Sequence, residues 1–145
     1  VGSEMCIRDR YHADMTRSFA TKGYSDEQKS IYDIVLNAQV KSIEGIKSGI
    51  SCKSIDSIAR DHIANAGYSK FFDHGLGHSL GLEIHEDPRF SKVSEDVLEE
   101  NYVMTVEPGI YVPDIGGVRI EDDIIVTKNG AEILNKTSKE FQVIS

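Results

Sequence analysis

Two acidic residues stand inside runs that otherwise read as buried strand. Glu107 lies between Val103-Met104-Thr105-Val106 and Ile110-Tyr111-Val112, and Glu121 between Val118 and Ile124-Ile125-Val126. Runs this rich in β-branched residues bury at least one face, and a buried carboxylate without a partner is strongly unfavourable. Any fold of this chain must therefore compensate both acids. Either an ion pair does so, with Arg119 the obvious partner, or a cation draws several acids together. Asp14, in the short run from Tyr11 to Ala20, is a third acid of the same kind.

The histidines sharpen the second option. Of the five in the chain, His74, His78 and His85 fall in one window, HGLGHSLGLEIH, among glycines that allow a backbone to approach a ligand closely. This segment carries no helical stripe. One histidine with three carboxylates makes a hard, oxygen-rich ligand set, suited to Mn2+, Co2+ or Zn2+. Shared carboxylates allow two divalent metal ions to sit side by side with a hydroxide between them, poised to attack a carbonyl. A neighbouring histidine could stabilise the oxyanion or move protons. These residues point to a dinuclear metallohydrolase and leave its substrate open.

The rest of the chain supplies a scaffold. Tyr11, Ala13, Met15 and Phe19 share a period of two and predict a short strand. Ser25-Asp26-Glu27-Gln28 forms a capping box that opens a helix striped by Ile31, Ile34, Val35, Ala38, Ser42 and Ile46 and ended by Gly49. A second helix starts near Ser54, with Ile55, Ile58, Ala59, Ile63 and Ala66 facing inward and Gly67 stopping it. Tyr102 to Val112 and Gly117 to Thr127 predict strands, and Asn129-Gly130 a hairpin returning into Ala131 to Leu134. Two helices with mainly antiparallel strands make an α+β fold.

Composition bounds the alternatives. At 145 residues, 39% hydrophobic and 28% charged, the chain fits one modest domain and is neither a disordered tract nor a disulfide scaffold. A net charge of −8 repels phosphate backbones, so no nucleic-acid partner is expected. No apolar run approaches the roughly 18 residues of a membrane span, and no secretory or lipidation motif is present, so no membrane partner is expected. Cys6 and Cys52 form no metal pair and read as reduced cytoplasmic thiols. Residues 1–10, VGSEMCIRDR, show neither alternation nor a helical stripe. They resemble adapter-derived sequence at the ends of metagenomic fragments and are set aside as a non-native segment, leaving residues 11–145 for the domain.

Three ordered motifs carry a family resemblance: HGLGHSLGLEIHEDP at His74 to Pro88, TVEPGIYV at Thr105 to Val112, and GGVRIEDDIIVT at Gly116 to Thr127. Together they resemble the pita-bread metallopeptidases (peptidase family M24), in the branch of Xaa-Pro dipeptidase (prolidase) and aminopeptidase P. YHADMTRSFA resembles that group's first metal-bearing strand. The resemblance implies a pita-bread fold, of which this chain is the C-terminal portion, and metal-dependent hydrolysis of the peptide bond preceding proline by a metal-bridging hydroxide. By position, Asp14 and Glu121 resemble the bridging carboxylates, and His78 and Glu107 the terminal ligands of one metal. His74 and His85 resemble the histidines that contact substrate and the tetrahedral intermediate, Glu107 also handles protons, and Arg119 organises the site.

One position departs from the family. A further aspartate is expected eleven residues before Asp14, where this chain has Ser3. The chain can thus complete one metal site and half of the other, and with the upstream half of the domain and any N-terminal domain absent, the expectation is that this piece alone is inactive. The resemblance implies a proline-containing peptide as substrate, and a homodimer is compatible with it. Two alternatives stay open. Methionine aminopeptidase shares the ligand set, and a non-catalytic or creatinase-like relative shares the fold without metals.

Overall fold

The computed structural model describes residues 2–144, with side chains from residue 7 onward. In chain order the elements are β1 (Gly2–Arg8), β2 (Tyr11–Arg17), β3 (Ala20–Thr21), α1 (Asp26–Gly45), α2 (Cys52–Asn65), a 3-10 turn (Ser69–Phe71), β4 (Gly77–Ser79), β5 (Glu86–Phe90), β6 (Val103–Val106), β7 (Gly109–Val112), β8 (Gly116–Arg119), β9 (Asp122–Val126), β10 (Ala131–Ile133) and β11 (Val143–Ile144). The α+β expectation holds. A central antiparallel sheet runs β10-β9-β6-β4-β5, and β1-β2, β7-β8 and the parallel pair β11-β3 flank it.

Local chemistry explains the helices. The Ser25 hydroxyl accepts the Gln28 N–H at 3.2 Å, and the Gln28 side chain returns the bond to the Ser25 N–H at 2.8 Å. This capping box satisfies two amides that a helix start otherwise leaves open. The helix runs to Gly45, with Ile46 already extended, so it ends before the expected Gly49. Ser51 caps α2, which starts slightly earlier than the Ser54 expected. The two apolar stripes meet each other and the sheet in one core containing Ile31, Val35, Ala38, Ile55, Ile63 and Met104.

Each of the two long strands expected from sequence breaks at its acid. Tyr102 to Val112 divides into β6 and β7 at Glu107-Pro108, because proline has no N–H to give a ladder. Gly117 to Thr127 divides into β8 and β9 at Ile120-Glu121, where the Glu121 N–H goes instead to the carbonyl of Thr16 at 3.1 Å. Both strands thus bend and change partners beside the carboxylate, which is how an acid enters an apolar run without lying in its core.

Strand alternation then divides the sheet into two chemistries. The register pairs Met104 with Ile124 and Val106 with Asp122, and these side chains face the helices. Thr105 pairs with Asp123 on the opposite face, and the pairing of Ser79 with Met104 puts His78 on that face as well. The strand expected from Tyr11 onward is present as β2, but its buried face is the polar one. Asp14 and Thr16 are buried, whereas Tyr11 and Phe19 are exposed. β2 packs onto the acidic face of β9 rather than onto the helices, so its polar residues are the buried ones.

Residues 2–8, set aside in the sequence reading, take strand backbone and pair along β2 through a two-residue turn at Asp9 and Arg10, both at positive φ (53° and 72°). The register places position 3 opposite Thr16. The side chains of Ser3 and Cys6 lie outside the described residues.

On the helix side of β9, Asp122 is fully buried and holds the layers together. Its carboxylate accepts from Arg17 Nη2 at 2.6 Å, from Lys139 Nζ at 2.7 Å and from Gln39 Nε2 of α1 at 3.2 Å. Removing one partner from a buried ion pair leaves an uncompensated charge, which dominates the energetics. Asp122→Ala is expected to lower the unfolding free energy by about 3–5 kcal/mol in guanidinium denaturation. Asp33→Ala, which breaks the half-exposed Lys29–Asp33 pair, should change it by less than about 1 kcal/mol.

Candidate metal centre

Where β2 crosses the start of β9, three ligand-type side chains meet. Asp14, His78 and Glu121 bring one ligand atom each to within 4.8 Å of one another, and all three are largely buried. The crossing is fixed by short contacts. The Glu121 N–H donates to the Thr16 carbonyl at 3.1 Å, the Asp14 N–H to Asp123 Oδ2 at 2.9 Å, and the Thr16 hydroxyl to Glu121 Oε2. Glu121 Oε1 is buried with no hydrogen-bond partner among the described residues, and so is Asp123 Oδ1. Two orphaned carboxylate oxygens beside an imidazole are strongly unfavourable on their own. They are the surroundings a hard divalent cation fits.

His78 is set up as a ligand. Its Nδ1 lies 3.0 Å from the Ser79 carbonyl, which can only accept, so Nδ1 carries the proton and Nε2 is directed into the site. Nε2 stands 3.3 Å from Glu107 Oε1. Glu107, at the bend between β6 and β7, is steadied by the Thr105 hydroxyl, which donates to Oε1 at 3.1 Å. The same Thr105 oxygen accepts the His78 N–H at 3.0 Å, so one side chain sets both the histidine and the glutamate.

Arg119, which the sequence offered as a salt-bridge partner in one of two ways to compensate the acids, reaches Glu121 indirectly. Arg119 Nε donates to the Thr16 hydroxyl at 3.2 Å, and that hydroxyl donates to Glu121. The guanidinium also donates through Nη1 to the Tyr111 hydroxyl at 3.4 Å, and that hydroxyl lies 3.3 Å from His74 Nε2. His74 Nδ1 donates to the Gly75 carbonyl at 2.7 Å, so Nε2 is left to accept from the phenol. The Tyr111 ring fills a slot over two glycines. A Cβ at Gly109 would sit 2.6 Å from its hydroxyl, and one at Gly117 2.7 Å from its Cδ1. His85 packs edge-on against His78 with ring centroids 4.5 Å apart. His74, His78, His85, Glu107 and Arg119 line one open cavity of about 520 Å³ together with Arg89.

All seven residues singled out by sequence thus lie at or beside this centre. Sequence reasoning missed Thr16, Thr105, Tyr111 and Asp123. Asp123 had a signal, since alternation in β9 sets it on the face opposite Asp122. The threonines and Tyr111 had none, because their roles depend on which strands cross. Of the remaining histidines, His12 binds the Gly81 carbonyl and His62 pairs with Lys41.

Comparison with known proteins bears on this arrangement. The model of metallopeptidase family M24 matches residues 3–128. A curated Xaa-Pro dipeptidase of Pyrococcus horikoshii is 54% identical over 135 residues, covering 93% of this chain and 38% of that relative. The crystal structure of the prolidase from Pyrococcus horikoshii OT3 superposes with a TM-score of 0.94 at 50% identity, over 96% of this chain and 40% of that one. An X-Pro aminopeptidase structure from Thermotoga maritima gives 0.94 at 41% identity, over 98% and 40%. The chain therefore spans about two fifths of the length of the relatives it matches.

Gathering these groups shifts their proton affinities. Burial, then the nearby Glu107 and Asp14 carboxylates, push Glu121 from 4.5 up to about 8, against the pull of Thr16 and Arg119. Burial and the charges of Asp14 and Asp122 push Asp123 from 3.8 up to about 7. Burial opposes protonation of His78, but its bonds to Glu107 and Ser79 and the charges of Glu107 and Glu121 outweigh it and raise its pKa. All three groups hold protons more tightly folded than unfolded. The stability they contribute is therefore greatest at the acid end and is lost as pH rises through the folded values. In urea denaturation, the metal-free protein is expected to lose stability between about pH 5 and pH 8. Saturating Mn2+ or the Glu121→Gln substitution should flatten that slope, and a metal-free profile that rises through the window would contradict this electrostatic account.

Proposed function

The chain belongs to metallopeptidase family M24, and from that membership we propose that the protein of which it forms part hydrolyses the peptide bond preceding proline in short peptides. The observation that carries this reading is the convergence of Asp14, His78 and Glu121 around a buried carboxylate oxygen with no partner. The two relatives with solved structures described above are a prolidase and an X-Pro aminopeptidase, both at 40% identity or more. Residues 11–145 carry the metal-bearing part of the catalytic domain in this reading, and residues 1–10 are a non-native segment.

Asp14, His78, Glu107 and Glu121 would hold the metal, Mn2+, Co2+ or Zn2+, with a second ion completed by an acid eleven residues before Asp14, at the position of Ser3. When bound, such ions supply Lewis acidity and a water ionised near neutral pH. The remaining tasks fall to this chain. Glu107, held through Oε1 by Thr105, is placed to take and return a proton. His85, beside His78 and on the wall of the cavity, stabilises negative charge developing on the substrate carbonyl oxygen. His74, on the cavity wall, is positioned to contact substrate, its tautomer kept by the Gly75 carbonyl and its Nε2 held by the Tyr111 hydroxyl. Arg119 fixes Glu121 through Thr16 and aligns Tyr111 with His74. No helix among the described residues is long and apolar enough to cross a membrane. The reading takes the cytoplasm as location and involves no nucleic-acid or membrane partner. A homodimer is compatible with it.

The test uses the full-length parent. Metal analysis should find a transition metal, and Xaa-Pro peptides should be cleaved in preference to Met-Ala peptides. The reverse preference would make the enzyme a methionine aminopeptidase, and a metal-free protein would favour a creatinase-like or non-catalytic relative. His78→Ala should remove both bound metal and turnover. His85→Ala should keep its metal while turnover falls about 10²–10³-fold, the usual loss when one stabiliser of a developing oxyanion is removed. Equal turnover in the wild type and His85→Ala would refute the role given to His85.

A further inference from the structure

We infer that Asp123 is a positioning residue for the metal centre: its carboxylate substitutes for a main-chain carbonyl in joining β2 to β9, and its charge helps hold the cation. The inference rests on the metal-centre reading above. Among the described residues, a main-chain bridge between β2 and the residue that enters β9 pairs Thr16 with Glu121. Continuing that antiparallel register by two residues sets Asp14 opposite Asp123, where the Asp14 N–H would look for the Asp123 carbonyl. That carbonyl is already taken by the Leu134 N–H at 2.9 Å, and the Asp123 N–H is given to Asn135 Oδ1 at 2.5 Å. The backbone of Asp123 is committed to the β10 side, so its side chain reaches back and accepts the Asp14 N–H at 2.9 Å through Oδ2. This bond seats the backbone of Asp14, and with it the carboxylate that meets His78 and Glu121.

Holding one N–H does not require an anion. An asparagine in the same place could accept the bond without bringing a charge into the interior. Asp123 is 2% exposed, and its Oδ1 has no hydrogen-bond partner among the described residues. It lies on the sheet face that carries Thr105 and His78, across from the helix-side cations that neutralise Asp122. A buried anion retained at such a cost is explained if a neighbouring cation balances it. Asp123 then contributes twice, by placing the Asp14 backbone and by adding negative charge next to the ligands without joining them.

Asp123→Asn in the full-length protein separates the two contributions, since it keeps an acceptor and nearly the same shape but removes the charge. Mn2+ affinity is measured by titration calorimetry, and the Tm of the metal-free protein by thermal unfolding. The expected result for Asp123→Asn is a Tm at or above that of the wild type together with Mn2+ binding weakened about tenfold, as when a supporting group beside a metal ligand is lost. Asp123→Ala, which also removes the acceptor, should lower both. A merely structural role would leave Mn2+ affinity unchanged in Asp123→Asn, and that outcome overturns the inference while leaving the metal-centre reading intact. A wild-type protein that takes up no Mn2+ overturns the reading and the inference with it.

Discussion

The structure depends on the crossing of one polar strand over another. β2 brings Asp14 and Thr16 against Glu121 and Asp123 with a main-chain bridge at Thr16 and Glu121, so a few oriented hydrogen bonds must hold together groups whose charges repel. At separations under 5 Å in a buried setting, repulsion between carboxylates is several times larger than in water. The fold meets this with a small number of oriented donors: the Asp14 amide, the Thr16 hydroxyl and, behind it, the Arg119 guanidinium. Among the described residues these donors leave one oxygen of Glu121 and one of Asp123 without a partner, surroundings that a divalent cation would fit.

The surrounding architecture serves that crossing. The breaks at Glu107-Pro108 and Ile120-Glu121 turn two strands aside where their acids occur, and β6 and β9 still pair in register behind the site. Thr105 links the rear of the sheet to the front, accepting from the His78 amide and donating to Glu107. Tyr111 connects Arg119 to His74 across a hairpin that two glycines leave bare enough for its ring. Precision at such a site comes from these supporting contacts as much as from the ligands themselves.

Much of this was legible in the sequence. The capping box and the two helical stripes are local patterns, and their elements formed within a few residues of the expected bounds. The acids inside strand-like runs were visible as an anomaly, and the family motifs gave each a role. Other features depend on contacts between distant parts of the chain and left no local trace. The buried face of β2 is its polar one, because Asp123 and Glu121 rather than an apolar layer lie beneath it. Arg119, one of the two compensations the sequence left open for Glu121, acts through Thr16, more than a hundred residues away in sequence. The two continuous strands expected on either side of the acids were shortened by proline chemistry in one case and by a competing acceptor in the other.

Asp122 and Asp123 are neighbours whose side chains leave β9 in opposite directions, one to Arg17 and Lys139, the other to the amide of Asp14. A strand repeats every two residues, so a shift of β9 by a single residue would exchange these environments. Because Glu121, Asp122 and Asp123 are consecutive acids, the slipped strand would still offer an acid to Arg17 and Lys139, so those cations alone do not fix the register. The boundary between acids and isoleucines does. A slip one way would set Asp123 at the core place of Ile124, beside Met104 and Val106, and a slip the other way would set Ile124 at the place of Asp123 and leave the Asp14 amide without its acceptor.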